Sequence, residues 1–140
     1  PKNVAQAKIA IIGAGSASLS CASFLGRLGY ENVHIFEKAN YPGGLVTSEI
    51  PPNRSNLSDI EWEAEMVKDL GVKFFYNREF GKDITEESLK KDGYEVIFIG
   101  TGLESPKQQL GKDIYMLPNV FSSKTFLPNV CINTKLTKAK

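Results

Sequence analysis

The sequence predicts an α/β domain, an open and mostly parallel sheet with flanking helices, and two observations carry that prediction. Short apolar runs of strand length alternate along the chain with stretches of helical periodicity, the order that produces parallel sheets. The first such run, Lys8 to Ile12, passes through Gly13-Ala14-Gly15 directly into a helix, and the second ends on an acid, Glu37.

Lys8 to Ile12 reads as the first strand. Ala17 to Leu28 follows as a helix with Leu19, Ala22, Phe24, Leu25 and Leu28 on its apolar face. Gly29 closes it, a residue suited to the left-handed conformation that ends helices. Val33 to Glu37 is the second strand. Tyr41 to Leu45, built around Gly43-Gly44, reads as a turn, and Pro51-Pro52-Asn53 excludes regular structure. Ser58 and Glu61 have capping-box spacing and open a helix to Leu70, with Ile60, Ala64 and Val67 on one face and Gly71 as its stop. Val72 to Tyr76 is a third strand. Thr85 caps a short helix over Glu86 to Lys91, whose two leading acids suit the helix dipole. After the Asp92-Gly93 turn, Tyr94 to Gly100 is the fourth strand, and its Val96 to Ile99 run is of the kind that parallel sheets bury on both faces. The doubly wound rule gives the strand order 3-2-1-4.

From Pro106 onward the periodicity weakens, and Leu110 to Lys140 contains no helix or strand longer than a turn or two. Residues 1–106 are therefore expected to be the N-terminal part of one domain, and 107–140 an irregular segment. A sheet of this type normally continues. The irregular ending, together with Pro1 in place of an initiator methionine, reads as a chain cut inside a larger protein.

Bulk properties narrow the function classes. The 140 residues have room for one domain, and a 41% hydrophobic content predicts a buried core. Net charge is +1 with both signs interspersed, which gives no support for nucleic-acid or membrane partners; only Lys135 to Lys140 is locally basic, as a frayed tail. No apolar run has the length of a membrane span, and no signal peptide opens the chain. Cys21 and Cys131 are unpatterned, which suits a reduced, cytoplasmic compartment and offers no metal site. Two thiols cannot hold an iron–sulfur cluster, which needs about four.

The chemistry lies in the glycine turn. Gly13 permits a tight turn, Gly15 leaves its backbone open to a pyrophosphate, and Ser18 at the third position is small enough for helix to pack on strand. The free N–H groups that open the helix point at phosphates. Glu37, 22 positions after Gly15 at the end of the second strand, completes a Rossmann-like FAD/NAD(P)-binding layout. Three features then favour flavin over nicotinamide. Glu37 can accept both ribose hydroxyls, and its charge repels a 2′-phosphate. Gly43-Gly44 lets the chain fold back over an extended pyrophosphate. The fourth strand ends in Gly100-Thr101-Gly102, glycines that pass close to the cofactor's phosphates.

Four stretches carry a more specific likeness: Gly13 through Tyr30, then Ile35-Phe36-Glu37-Lys38, then Tyr41 through Pro51, then Met66 through Val72. Together they resemble the FAD domain of dihydropyrimidine dehydrogenase, from about Lys8 to Pro106, with a fainter echo in Phe121 to Pro128. The small subunit of glutamate synthase shares the glycine framework. The resemblance to the pyrimidine enzyme implies a long, homodimeric oxidoreductase of pyrimidine catabolism. NADPH would reduce FAD, 4Fe–4S clusters would carry electrons to FMN, and FMN would reduce uracil or thymine. In that picture FAD is the cofactor of this chain, while NADPH, FMN, the clusters and the pyrimidine bind elsewhere in the parent enzyme. Gly13, Ala14, Gly15, Ser16 and Ala17 would touch the pyrophosphate and Glu37 the ribose. Lys38, Ala39, Asn40, Tyr41, Pro42, Gly43, Gly44 and Leu45 would line the adenosine side. Arg54 would reach the flavin or phosphate region, and Phe80 would meet the adenine through its main chain. Ser16 departs from the family's proline, and Arg54-Ser55-Asn56-Leu57 from its arginine-leucine-proline stretch. No catalytic residue falls within the chain.

Several residues have plainer readings. His34 alternates outward on its strand as a structural or exposed residue, Trp62 and Tyr41 pack, Cys21 is core, and Lys38 is surface. Arg54 is balanced between a phosphate contact and a solvated loop charge. Two other functions stay open: an electron-input flavoprotein of the glutamate synthase type, and a nucleotide-binding module without redox chemistry.

Overall fold

The computed structural model describes residues 4–103 and 113–138. Strands β1 (Lys8–Ile12), β2 (Asn32–Phe36), β3 (Lys73–Phe75) and β4 (Val96–Ile99) form one sheet in the order β3-β2-β1-β4, every pair parallel. This is the predicted order. The helices are α1 (Ser16–Arg27), α2 (Leu45–Ser48), α3 (Leu57–Asp69), α4 (Glu86–Lys91) and α5 (Ser123–Lys138).

Strand alternation sends side chains into two cores. Ile9, Ile11, Val33 and Ile35 face α1 and α3, where Leu19, Ala22 and Val67 cover them. Ala10, Ile12 and Phe36 face the other way, onto Leu89 of α4 and Tyr94. Ile11 and Ile35 are fully buried, each worth roughly 1.5–3 kcal/mol of hydrophobic stabilisation. Helices α1 and α3 meet at a small residue: a β-carbon on Gly26 would stand 2.8 Å from Leu70 Cβ. The fourth strand meets α1 as tightly, because a β-carbon on Gly100 would come 2.1 Å from Ser18 Oγ.

The structure departs from the sequence reading at several points. Helix α3 begins at Leu57 after Asn56, with no side-chain cap; starting there turns Leu57 into the core and leaves Ser58 and Glu61 exposed. The reciprocal capping box occurs instead at Thr85 and Ser88, where each side chain bonds the other residue's N–H. Strand β4 is an edge rather than a buried strand, with Val96, Phe98 and Ile99 exposed. Phe24 on α1 and Leu28 at its C-cap face solvent, and Trp62 is exposed on α3 instead of packing. Cys21 is half-buried at the margin of the first core. The Tyr41–Leu45 turn runs on into the short helix α2.

The largest difference is α5, formed where irregular chain is expected. Pro128 inside it withholds an N–H from the helical ladder, which masks the helix in sequence. Ser122 compensates at the start, its Oγ accepting the Thr125 N–H at 3.2 Å. The proposed boundary at residues 106 and 107 lies outside the described residues, as do Ala139 and Lys140.

His34 is buried, because the second face of β2 is covered too. Its Nδ1 shares a 2.6 Å hydrogen bond with the Tyr94 hydroxyl, and its ring meets Phe75 and Tyr94 edge-on. Burial, then the charges of Lys73 and Lys8, hold the imidazole below its ordinary pKa. Burial and Asp92 push the Tyr94 phenol up to about 12, so it stays protonated. The unfolded chain therefore takes up a proton near pH 6.5 that the folded chain refuses, and stability should fall as pH drops through that value. The midpoint of thermal unfolding at about pH 7.5 is expected to exceed that at about pH 5.5. An equal difference in His34→Gln would remove His34 as its source.

Candidate nucleotide-binding site

The site is assembled where β1 and β2 end. Gly13 turns the chain with φ +94°, and a β-carbon there would lie 2.7 Å from the Gly100 carbonyl, so the position is closed to side chains by backbone and by packing. The Gly13 N–H donates to the Phe36 carbonyl at 2.7 Å, extending the sheet by one bond into the turn. Ala14 is fully buried.

Gly15 differs from Gly13 in kind. Its φ of −77° suits any residue, and a β-carbon on it would meet nothing within 4 Å. Neither backbone nor packing requires glycine there, and the space above it is open. Gly15 is also the N-cap of α1 and supplies no side-chain cap, so among the described residues the first-turn amides of Ser16, Ala17 and Ser18 meet no capping side chain from it. Ser16 and Ala17 are exposed in that first turn. Ser18 is fully buried, and its Oγ has no hydrogen-bond partner among the described residues.

Glu37 is buried, 8% exposed, with both carboxylate oxygens engaged. Oε2 accepts the Ala14 N–H at 2.7 Å and Oε1 the Ala39 N–H at 2.8 Å. The acid therefore clamps the glycine turn to the loop after β2, and each oxygen keeps a lone pair for a ligand hydroxyl. Burial and the Glu37 charge push the half-buried Tyr41 phenol up. Tyr76 is driven to about 12 by burial and by Glu65, Glu37 and Glu61.

The remaining predicted residues divide. The Gly43 N–H donates to the Ala14 carbonyl at 2.8 Å, and a β-carbon on Gly44 (φ +54°) would stand 3.1 Å from Gly15 Cα, so the glycine pair lies directly on the turn. Thr47, buried on α2, fixes this loop by donating its hydroxyl to the Pro42 carbonyl at 2.6 Å. Lys38 and Asn40 are placed towards the loop's outer side, Pro42 is buried, and Leu45 is exposed at the start of α2. Arg54 sits on an exposed turn held by its own N–H to the Pro51 carbonyl, and among the described residues no hydrogen bond or ion pair joins it to the glycine turn. Phe80 is half-buried against the second core, in a loop bridged to Ile84.

Sequence reasoning missed the residues that hold the loop after β3 to the site. Asn77, with φ +55°, donates its N–H to the Ala39 carbonyl at 3.1 Å, and Arg78 donates its backbone N–H to the Glu37 carbonyl at 2.9 Å. Asparagine's tolerance of the left-handed region was the available signal.

These features define a Rossmann-like nucleotide-binding fold: a four-stranded parallel sheet, a glycine turn into a helix, and an acid at the end of the second strand. The family model for the NAD(P)-binding Rossmann-like domain matches residues 11–78, from within β1 to the loop after β3. The chain is 42% identical over 98 residues to the NADP(+)-dependent formate dehydrogenase subunit beta of Moorella thermoacetica, covering 70% of this chain and 14% of that protein. It is 32% identical over 108 residues to the NADPH-Fe(3+) oxidoreductase subunit beta of Geobacter sulfurreducens, covering 76% and 16%. The UacF protein of Escherichia coli strain K12 is 38% identical over 95 residues, covering 68% and 15%. The chain thus spans about one-seventh of the length of these relatives. Among the described residues no helix is long and apolar enough to cross a membrane.

Proposed function

We propose that this site holds the ADP moiety of FAD, as part of an oxidoreductase that exchanges electrons with NADP(H). The observation that carries the reading is the open space over Gly15, bounded by the uncapped first turn of α1 and by Gly44. A pyrophosphate fits there: it needs backbone donors, a favourable helix dipole and no side chain in its path. The lone pairs left on Glu37 fit ribose hydroxyls, and its buried negative charge disfavours a 2′-phosphate. That charge supports FAD in this site and NADP(H) at another. The bound flavin supplies hydride and electron transfer; this chain's residues bind and orient its adenosine end.

Two parent enzymes fit the module. The likeness to beta subunits named for NADP(H)-dependent formate and iron oxidoreductases supports an electron-input flavoprotein, the glutamate synthase type of architecture. The resemblance in Tyr41 to Pro51 and Phe121 to Pro128 supports a dihydropyrimidine dehydrogenase that reduces uracil or thymine. The electron-input reading is favoured, since those relatives carry the matched stretch inside proteins named as beta subunits of NADP(H)-dependent oxidoreductases. NADPH oxidation that depends on uracil would reverse the preference.

The test of the site itself is a pair of titrations. FAD is expected to bind the protein at least tenfold more tightly than NADP+, a difference of about 1.4 kcal/mol. Equal or reversed affinities, measured by calorimetry, would overturn the assignment of Glu37 and of the cofactor.

A further inference from the structure

Helix α5 is fastened to the loop that covers the glycine turn. Lys124 Nζ lies 2.7 Å from Glu49 Oε1, and both side chains are mostly shielded from solvent, at 28% and 18% exposed. Further along α5, the buried Cys131 brings its Sγ to 3.6 Å from the Glu49 carbonyl. An exposed ion pair would contribute little, but a shielded one leaves a poorly solvated charge behind when either partner is removed. Glu49 is the C-cap of α2, and Gly44 is its N-cap. A helix of this length does not hold its shape alone, because nucleation is unfavourable and few bonds repay it. Its order comes from what packs on it. At the other end of α2, Gly43 bonds the Ala14 carbonyl and Gly44 rests on Gly15, so a single helical turn connects Glu49 to the space over Gly15.

We infer that Glu49 and Lys124 are positioning residues for the Gly43–Gly44 loop: through this pair, α5 sets how closely the loop approaches the pyrophosphate of a bound dinucleotide. The inference rests on the dinucleotide reading given above and adds to it that α5 and the ligand are coupled. The coupling is reciprocal, so ligand binding strengthens the docking of α5 on α2.

The experiment compares two probes, ADP and adenosine, the second of which lacks the phosphates that the loop would touch. In Glu49→Gln and Lys124→Met, ADP affinity is expected to fall roughly five- to tenfold, with adenosine affinity unchanged. The charge exchange Glu49→Lys with Lys124→Glu is expected to recover part of the loss. Glu49→Gln keeps the side-chain shape and carries the test if Lys124→Met does not fold. Unchanged ADP affinity would overturn the inference, as would an equal fall for both probes, which a general loss of structure produces. A wild-type protein that binds neither probe would instead overturn the dinucleotide reading, and this coupling with it.

Discussion

Gly15→Val is expected to give a folded protein that no longer retains a dinucleotide. The backbone at Gly15 is extended, at φ −77° and ψ 176°, a conformation that a β-branched residue adopts readily. Among the described residues no atom beyond the two chain neighbours lies within 4 Å of the added β-carbon, so the fold accommodates that carbon without moving. The remaining effect on stability is the poorer capping of α1 by valine, a change of about 1 kcal/mol or less. The valine methyl groups do occupy the volume next to the first-turn amides, and there a pyrophosphate would have to pass. Affinity for FAD should drop by at least about 100-fold, roughly 2.7 kcal/mol, while circular dichroism and the melting midpoint stay close to wild type. The contrast with Gly13 is the control. Alanine there meets the Gly100 carbonyl at 2.7 Å in a left-handed conformation, so Gly13→Ala should lose stability before it loses ligand. A Gly15→Val protein that binds FAD normally would show that the space over this turn is not the ligand's path.

What could be read from sequence was whatever is local. The strand, glycine turn, helix and acid from Lys8 to Glu37 lie within one continuous stretch, and each residue's task follows from its own chemistry; order and parallel sense of the sheet followed from that unit. The errors arose where tertiary contacts decide. Leu57 is drawn into the core and pulls the start of α3 forward, overriding a good capping pattern at Ser58. Periodicity cannot tell an edge from a centre, so the apolar Val96 to Ile99 run looks buried although among the described residues β4 has a neighbour on one side only. His34 looks outward because the cover over the second face of β2 comes from Leu89 and Tyr94, far along the chain. Helix α5 is hidden by Pro128, and its stabilising partner, Glu49, lies 75 positions from Lys124. In the site, the identity of Glu37 is legible, but its engagement by the Ala14 and Ala39 amides is not.

That engagement changes what Glu37→Gln should do. A glutamine side chain has one acceptor oxygen, so its NH2 must face either the Ala14 or the Ala39 N–H, donor against donor in a buried place. The unliganded protein should therefore lose about 1–3 kcal/mol of stability, the range for a buried donor deprived of its partner, and a charge-assisted bond is lost as well. If Glu37 also holds the ribose, affinity for ADP should fall by a comparable amount. A fall in affinity alone could come from a loosened turn, so the ligand has to be varied as well as the protein. Wild-type protein should bind ADP more tightly than 2′-deoxy-ADP, because the deoxy compound forfeits a hydroxyl that the carboxylate can accept. In Glu37→Gln that preference should shrink, since the group that reads the hydroxyl is no longer charged. A preference of equal size in both proteins would assign Glu37 to the turn alone and leave the ribose to other residues. A preference that disappears with the charge would mean that the carboxylate which clamps the glycine turn is also the group that reads the ribose.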